Sequence, residues 1–298
     1  MSKWAHLLTE QRNPASADID ERTTLEVLRV INEEDKKVAH AVEAVLEAVA
    51  AAVELVATAF RRGGRLFYVG AGTSGRLGVL DSSECPPTYG ADPEMVQGVI
   101  AGGYEALVRS LGKEEDFPER GAGALRERGL SDRDVVMGIA ASGVTPYVRG
   151  ALTEARRIGA GAIFFTCNPS SAREVEADVK IVPLVGPEVI TGSTRMKAGT
   201  ATKMVLNMIT TAAMIRVGKV YGNLMVDLTP TCLKLKDRAT RILSTLAEIP
   251  PDEARRTLGE ARWNLKAAIV MRRRGVGYDQ ALEYLRKADG IVKKALAD

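Results

Sequence analysis

The sequence predicts an α/β protein in which a doubly wound parallel sheet is flanked by helices, with a helical N-terminal arm and a small C-terminal helical domain. Three observations predict this fold class. Five short apolar runs are rich in β-branched residues, helical segments lie between most of them, and turns rich in glycine and hydroxyl side chains follow some of them. Strands that alternate with helices are typical of a parallel sheet that is covered on both faces.

The N-terminal arm precedes this sheet. Residues 1–22 are polar and irregular, and helical patterning begins near Thr23 and Thr24, either of which can cap a helix. A longer helix is predicted from about Asp35 to Arg62, and Gly63 with Gly64 ends it. The three glutamates on this helix share one face, which indicates an amphipathic helix and argues against a membrane span.

The elements after the arm follow in order. Beyond the strands, 192–219 reads as a loop that enters a long apolar helix, 221–231 as a linker, and 233–298 as helical with breaks at Pro250-Pro251 and Gly275–Gly277. The predicted domains are therefore 1–55 (arm), 56–219 (sheet) and 220–298 (C-terminal helices). The predicted strands are Leu66–Val69, Met95–Ile100, Asp134–Ala140, Ala162–Thr166 and Val179–Leu184.

Composition excludes several classes of function. The 41 basic and 38 acidic residues leave a net charge of +3, so no overall field favours nucleic acid or a membrane as partner. Cys85, Cys167 and Cys232 are odd in number and lack pair spacing, which argues against a zinc site and favours a reducing cytoplasm. The first residues show no signal-peptide pattern. We expect a cytoplasmic protein without a metal or a redox cofactor.

The turn after the first predicted strand is the most informative motif. Gly70–Gly75 formally matches the dinucleotide fingerprint, but no acid ends the second strand to bind a ribose, and the residues after Gly75 do not match an ATP phosphate loop. The hydroxyls of Thr73 and Ser74 would supplement the backbone amides at a helix start, which suits a compact phosphomonoester. The alternative is a glycine turn that serves only close packing.

Two further hydroxyl-rich turns precede helices. Ser142, Gly143 and Thr145 follow the third strand, where Thr145 is placed to cap a helix that begins at Pro146. Capping alone explains one such turn. Two of them in one sheet favour a ligand, because ligands of open α/β sheets bind at the carboxyl ends of the strands. A third turn carries Ser193, Thr194 and Lys197, and its cations face either a ligand phosphate or solvent.

Carboxylates close to these turns are candidate proton carriers. Glu84 follows Ser83 and precedes two prolines, a short distance after the first turn. Glu114 and Glu115 belong, with Asp116, to an acidic cluster after a helix, for which a solvated surface is the default interpretation, and the spacing does not tell which of them, if any, enters a pocket. His40 is interpreted as a packing or surface histidine, with a role in a partner subunit's site left open.

Taken together, these residues resemble the sugar isomerase (SIS) domain and, more narrowly, the family of N-acetylmuramic acid 6-phosphate etherases. The resemblance extends over nearly the whole sequence. It is carried by Thr9–Asn13, Ser16, Ile19-Asp20, Gly70–Asp81, Glu84–Thr88, Gly192–Lys203 and Tyr221–Asp227.

The resemblance implies cleavage of the lactyl ether of a phosphorylated amino sugar, with Glu84 as proton donor and Glu115 as the second active-site glutamate; Glu114 is the fallback. It also implies an SIS-type fold and a homodimer. Val144 and Cys232 depart from the family pattern. The substrate-binding residues expected on these grounds are Gly72, Thr73, Ser74, Ser83, Ser142, Gly143, Thr145, Ser193, Thr194 and Lys197.

The implied chemistry suits carboxyl groups. In the open-chain aldehyde the lactyl oxygen lies β to the carbonyl, so a base can remove the C2 proton while an acid protonates the departing lactate, and water then adds back. Two alternatives remain at this point: an aldose–ketose isomerase acting on a sugar phosphate, and a sugar-phosphate sensor without turnover that resembles the glucokinase regulatory protein.

Overall fold

The computed structural model describes residues 4–230 and 232–297. Two compact units are present. The chain up to Ser83 together with Glu94–Thr210 forms the first unit, and Glu84–Pro93 together with the chain from Thr211 onward forms the second.

A five-stranded parallel sheet forms the centre of the first unit, as the sequence predicts. The strand order is β2-β1-β3-β4-β5, so Leu66 lies between Val96 on one side and Val135 on the other. Every residue of β1 and β3 is buried, which explains why these strands read as continuous apolar runs without alternation. The strands are β1 Leu66–Gly70, β2 Val96–Ile100, β3 Val135–Ile139, β4 Gly161–Phe165 and β5 Val179–Ile181.

The arm contains two helices, α1 Thr24–Glu43 and α2 Leu46–Arg61. The sequence predicts helical structure from Thr23 and a longer helix from about Asp35 to Arg62, whereas the structure places the break between Glu43 and Leu46. Thr23 caps α1 through a reciprocal capping box, as expected. The chain turns at Val45, which has φ −116° and ψ 13°. Because α1 buries few residues and α2 buries most of one face, the turn lets each helix present its own apolar stripe to the core.

The remaining helices lie between and after the strands. Short 3₁₀ turns occupy Leu8–Glu10, Pro14–Ser16, Ile19–Glu21 and Glu114–Asp116. The α-helices are α3 Gly72–Tyr89, α4 Glu105–Val108, α5 Pro118–Glu127, α6 Pro146–Ile158, α7 Pro169–Glu174 and α8 Lys197–Arg216.

One face of the sheet packs against α5 and α6. Phe67, Val136 and Phe164 form a cluster there with apolar residues of these helices, such as Leu152. Burying large side chains of this kind contributes about 1.5–3 kcal/mol each, so this layer is a major source of stability. It also fixes the start of α6 against the carboxyl end of β3, which positions the Ser142 turn.

The second unit is helical and begins with a small hairpin. Strands β6 Val220–Tyr221 and β7 Leu224–Met225 pair antiparallel where the sequence predicts a linker. The prediction is wrong because Val226 and Leu228 are buried in the core of this unit. Thr231, the last residue of the predicted linker, lies outside the described residues. The helices are α9 Leu233–Ala247, α10 Pro251–Glu260, α11 Leu265–Arg274, α12 Tyr278–Lys287 and α13 Val292–Leu296.

Candidate active site

A cavity of about 400 Å³ opens beside the start of α6. Its walls combine hydroxyl, carboxyl and apolar side chains from the third strand's turn, the 3₁₀ turn at Glu114–Asp116 and the N-terminal segment. The lining residues are Trp4, Leu7, Glu10, Glu115, Asp116, Ser142, Val144, Thr145 and Pro146. Three of the predicted site residues, Glu115, Ser142 and Thr145, therefore lie around one cavity.

The turn after β3 is held in one conformation. Gly143 has φ +76°, and a Cβ atom there would lie 2.7 Å from Thr166 Oγ1, so only glycine fits this position. Arg149 donates two hydrogen bonds to the Gly143 carbonyl, at 3.1 and 3.0 Å. Thr145 occupies the cap position of α6 as predicted, but its side chain makes no capping hydrogen bond. The Thr145 hydroxyl is therefore not used to cap α6.

Glu115 is the carboxylate that the structure places in this cavity. It is half-buried, and burial together with the neighbouring charge of Asp116 raises its pKa above the ordinary value. Glu114, the alternative, forms an ion pair with Arg120. The structure thus separates the two neighbouring glutamates that the sequence could not separate.

The start of α3 lies at a second, smaller cavity of about 60 Å³. Gly72 begins the helix with φ +53°, and Arg76, Arg109 and Glu115 also line this cavity. Arg76 is held by hydrogen bonds to two backbone carbonyls, those of Leu107 at 3.0 Å and of Arg109 at 2.8 Å. Glu115 consequently borders both cavities.

Thr73 and Ser74 belong to the first turn of α3 rather than to a loop. Both are half-buried, and the Thr73 methyl group lies beside Gly199 of α8. Neither residue lines either cavity. The predicted strand–turn–helix arrangement is present, but the helix begins at Gly72, inside the segment Gly70–Gly75 that the sequence predicts as a turn.

Ser83 and Glu84 lie on an exposed face of α3. At about 3.6 residues per turn, Glu84 is more than three turns beyond Gly72. The Ser83 hydroxyl donates to the Leu80 carbonyl at 2.8 Å, and Leu80 is itself half exposed. Glu84 lines neither cavity.

Lys197 does not reach the cavity, in contrast to the prediction. It is 1% exposed, and its ammonium pairs with Glu34 of α1 at 2.5 Å. The Glu188 carboxylate accepts hydrogen bonds from the backbone amides of Lys197 at 3.0 Å and Ala198 at 2.9 Å. Burial raises the pKa of Glu188, partly offset by these amides. Because Glu188 occupies the start of α8, this helix end is not open to a phosphate.

Ser193 and Thr194 form the tight turn before α8. Ser193 N donates to Ile190 O at 2.9 Å, and Thr194 N donates to Gly192 O at 3.0 Å. Both side chains are half-buried, and neither lines the two cavities. The third predicted turn is therefore present, but its hydroxyl residues do not line either cavity.

Sequence reasoning missed the N-terminal wall of the larger cavity, formed by Trp4, Leu7 and Glu10. The only local signal was the family string that begins at Thr9. No periodicity connects this segment to the turn after β3, because the two are more than a hundred residues apart.

Two features of the described residues bear on metal ions and membranes. Within 4–230 and 232–297, no cluster of three or more His, Cys, Asp or Glu side chains is arranged to hold a metal ion. In the same residues, no helix has both the length and the apolarity that a membrane crossing requires.

Comparisons with known proteins identify the family. The family model of the glucokinase regulatory protein N-terminal SIS domain matches residues 48–156 of this sequence. An N-acetylmuramic acid 6-phosphate etherase of Photorhabdus laumondii is 51% identical over 292 residues, covering 98% of this chain and 97% of the relative. An etherase of the same name from Salinibacter ruber is 54% identical over 291 residues, covering 97% and 94%.

Among solved structures, a phosphoheptose isomerase from Francisella tularensis matches with a TM-score of 0.48 and 17% identity, covering 64% of this chain and 100% of that one. The two etherases exceed half identity over almost all of both chains, and the parallel sheet with its strand-end turns agrees with the SIS match. The chain therefore belongs to the N-acetylmuramic acid 6-phosphate etherase family.

Proposed function

We propose that this protein is a carbon–oxygen lyase that cleaves the lactyl ether of N-acetylmuramic acid 6-phosphate, giving N-acetylglucosamine 6-phosphate and D-lactate in the recycling of cell-wall amino sugars. Family membership supports the reaction, and one structural observation carries the assignment to a site. Glu115 is a half-buried carboxyl with a raised pKa, and it shares a cavity with the hydroxyl-rich start of α6.

The substrate's phosphate is proposed to bind at the start of α6. This helix has 13 residues, so its first backbone amides and its dipole favour an anion. The hydroxyls of Ser142 and Thr145 line the cavity at that point, and Thr145 makes no capping hydrogen bond that a phosphate would have to displace. Gly72 at the start of α3 is proposed to contact the sugar on the other side of Glu115.

The proposed reaction has two stages, an elimination and an addition. Glu115, as carboxylate, takes the C2 proton of the open-chain aldehyde, the C3–oxygen bond breaks, and the lactate oxygen takes a proton from Glu84. Water then adds its oxygen to C3 of the unsaturated aldehyde, and a proton returns to C2. A raised pKa makes Glu115 a stronger base once it is ionised, and each such group contributes about a hundredfold or more to the rate.

A homodimer is proposed to complete the site. Glu84 and Leu80 lie on one exposed face of α3, and a half-exposed leucine beside a candidate proton donor is consistent with a surface that a second copy covers. Leu80→Asp should leave the monomer folded and abolish both dimerisation, measured by light scattering after size exclusion, and lactate release. A dimeric and active Leu80→Asp protein would contradict this part of the proposal.

A reducing cytoplasm is the proposed location. Cys85, Cys167 and Cys232 form no disulfide. Burial raises the pKa of Cys167 to about 12, so this thiol stays protonated and unreactive. The proposed domains remain 1–55, 56–219 and 220–298.

The decisive experiment measures free D-lactate from N-acetylmuramic acid 6-phosphate. Glu84→Gln and Glu115→Gln should each lower kcat by at least about a hundredfold, because each removes a proton carrier. Glu114→Gln is the matched control, since Glu114 pairs with Arg120, and it should keep wild-type turnover. Near-normal turnover in Glu84→Gln or Glu115→Gln would remove that residue from the mechanism.

The same assay separates the alternative functions. An isomerase would conserve the mass of the sugar phosphate, which mass spectrometry of the product detects, and would release no lactate. A sensor would bind N-acetylglucosamine 6-phosphate without turnover.

A further inference from the structure

The segment Trp4–Ser16, called the strap here, crosses the carboxyl end of the parallel sheet. Leu7 and Thr9 are almost fully buried, so the strap packs into the unit rather than lying on its surface. Three cavity-lining side chains belong to it, those of Trp4, Leu7 and Glu10. The strap is thus one wall of the cavity proposed to bind the sugar phosphate.

Asn168, directly after β4, joins the strap to the turn that carries Ser142. Its side-chain oxygen accepts from Leu8 N at 2.6 Å and from Thr9 N at 3.4 Å. Its side-chain nitrogen donates to Thr9 Oγ1 at 3.2 Å and to the carbonyls of Ala141 and Ser142, both at 3.1 Å. One fully buried amide therefore uses its acceptor on the strap and its donors mainly on the Ser142 turn, which brings these two cavity-lining segments together.

A second anchor fixes the other end of the strap. Gly192 N donates to Thr9 O at 3.1 Å, Asn13 Nδ2 donates to Pro187 O at 3.0 Å, and Ser16 Oγ donates to Val189 O at 2.7 Å. The strap is therefore held at Leu8–Thr9 and at Asn13–Ser16, and the burial of Leu7 extends this fixed part of the strap toward Trp4.

Trp4 is the large aromatic residue of this wall. It lines the cavity and is 50% exposed as a residue, so about half of its surface is accessible. Ser142 and Thr145, which carry hydroxyl groups, line the same cavity. A sugar has an apolar set of C–H groups and a polar rim of hydroxyls, and a cavity lined by both an aromatic ring and hydroxyl side chains complements both.

We propose that Trp4 is a substrate-binding residue that packs against the apolar carbons of the bound amino sugar phosphate, and that Asn168 is a positioning residue that sets the distance between Trp4 and the Ser142 turn. The proposal rests on the proposed function for the identity of the ligand. It adds the N-terminal wall of the cavity to the proposed binding site. The family model begins at residue 48 and does not include this wall, and neither do the strand-end motifs.

The first test uses the kinetics of D-lactate release. Trp4→Ala should raise KM by about tenfold with little change in kcat, because the lost contact is made equally by substrate and transition state. Trp263→Phe, in the second unit, is the matched control and should keep the wild-type KM. A KM of Trp4→Ala within twofold of the control would overturn the role of Trp4.

The second test uses fluorescence and does not need turnover. The sequence contains two tryptophans, so Trp263→Phe leaves Trp4 as the sole reporter. Titration of this protein with N-acetylglucosamine 6-phosphate should change the Trp4 emission saturably, and inorganic phosphate alone should change it little. Emission that does not respond to the sugar phosphate would also overturn the proposal.

Asn168→Ala tests the positioning role in the same background. Its folding is checked first by circular dichroism, and Asn168→Asp, which keeps the acceptor for the strap amides, serves if the alanine variant does not fold. We expect a weaker Trp4 response and a raised KM, with Glu115-dependent kcat largely retained. A folded variant with wild-type Trp4 emission, KM and ligand response would overturn the role of Asn168.

The two proposals fail in different ways. If the wild-type protein releases no D-lactate but Trp4 emission still responds saturably to N-acetylglucosamine 6-phosphate, the proposed function is wrong and the strap proposal stands. If lactate is released, Trp4 emission does not respond to the sugar phosphate and the KM of Trp4→Ala equals that of the control, the strap proposal alone is wrong.

Discussion

The buried ion pair between Glu34 of α1 and Lys197 of α8 gives the sharpest stability prediction. Glu34 is 4% and Lys197 1% exposed, and their charged atoms lie 2.5 Å apart. Glu34 also accepts hydrogen bonds from Lys37 at 2.5 Å and Asn13 at 2.9 Å. Lys197 has a smaller set of opposite charges around it, with Glu188 contributing at longer range. The two partners should therefore differ in what their removal costs.

Glu34→Ala should be the more damaging change, because it leaves a buried ammonium without its hydrogen-bonded carboxylate. Removing one partner of a buried pair costs about 3–5 kcal/mol, and we expect a loss of free energy of unfolding in that range. Lys197→Met should cost less, about 1.5–3 kcal/mol, since Lys37 and Asn13 still satisfy Glu34. Glu34→Leu combined with Lys197→Met should recover much of the loss, because no unpaired charge remains.

The assay is urea unfolding in the Trp263→Phe background, followed by Trp4 emission, which reports on the unit that contains the pair. Glu33→Ala is the matched control, because Glu33 forms an exposed pair with Lys36 one position away on α1. It should change stability by less than about 0.5 kcal/mol. Equal stabilities of Glu34→Ala and Glu33→Ala would refute the reasoning.

The pH dependence provides an independent check on the same pair. Burial alone would raise the pKa of Glu34, but hydrogen bonds from Lys197, Lys37 and Asn13 outweigh it and lower the pKa to about 2 from 4.5. Because the pKa is lower in the folded than in the unfolded state, this stabilisation is present above pH 4.5 and is lost as the pH falls from 4.5 toward 2. Lys197→Met should make the acid-induced loss smaller.

Three further predictions concern the site and the arm. Gly143→Ala should lower kcat/KM by at least about tenfold and destabilise the protein by about 1–3 kcal/mol, because φ is +76° and the new Cβ would collide with Ser171; steady-state kinetics and thermal unfolding check this. Asp116→Asn should shift the acidic limb of the kcat/KM profile of lactate release to lower pH, because it removes a charge that raises the pKa of Glu115; an unchanged limb would indicate that another group limits the rate. Thr23→Ala should cost about 1 kcal/mol in urea unfolding through loss of the α1 capping box, while turnover stays at the wild-type level.

Much of the fold could be predicted from the sequence because its signals are local. Each of the five strands is a short apolar run between turn residues, and each was found to within a few positions. The cap at Thr23 and the helix start at Pro146 follow from side chains that act on their own neighbours. The prediction of a linker at 221–231 is wrong because Val226 and Leu228 of this segment are buried in the core of the second unit. No local sequence pattern indicates this burial.

The candidate site likewise has features that could be predicted from the sequence and features that could not. The sequence by itself determined that a hydroxyl-rich turn would follow β3 and that hydroxyl side chains would lie where a helix begins after β1, because these signals are carried by consecutive residues. Only the tertiary structure decided that Glu115 lines the cavity while Glu114 does not, that Lys197 pairs with Glu34 across 163 positions, and that Asn168 holds Leu8 across 160. Burial sets the pKa of a carboxyl and selects the partner of a buried charge, and burial depends on which distant segments pack together.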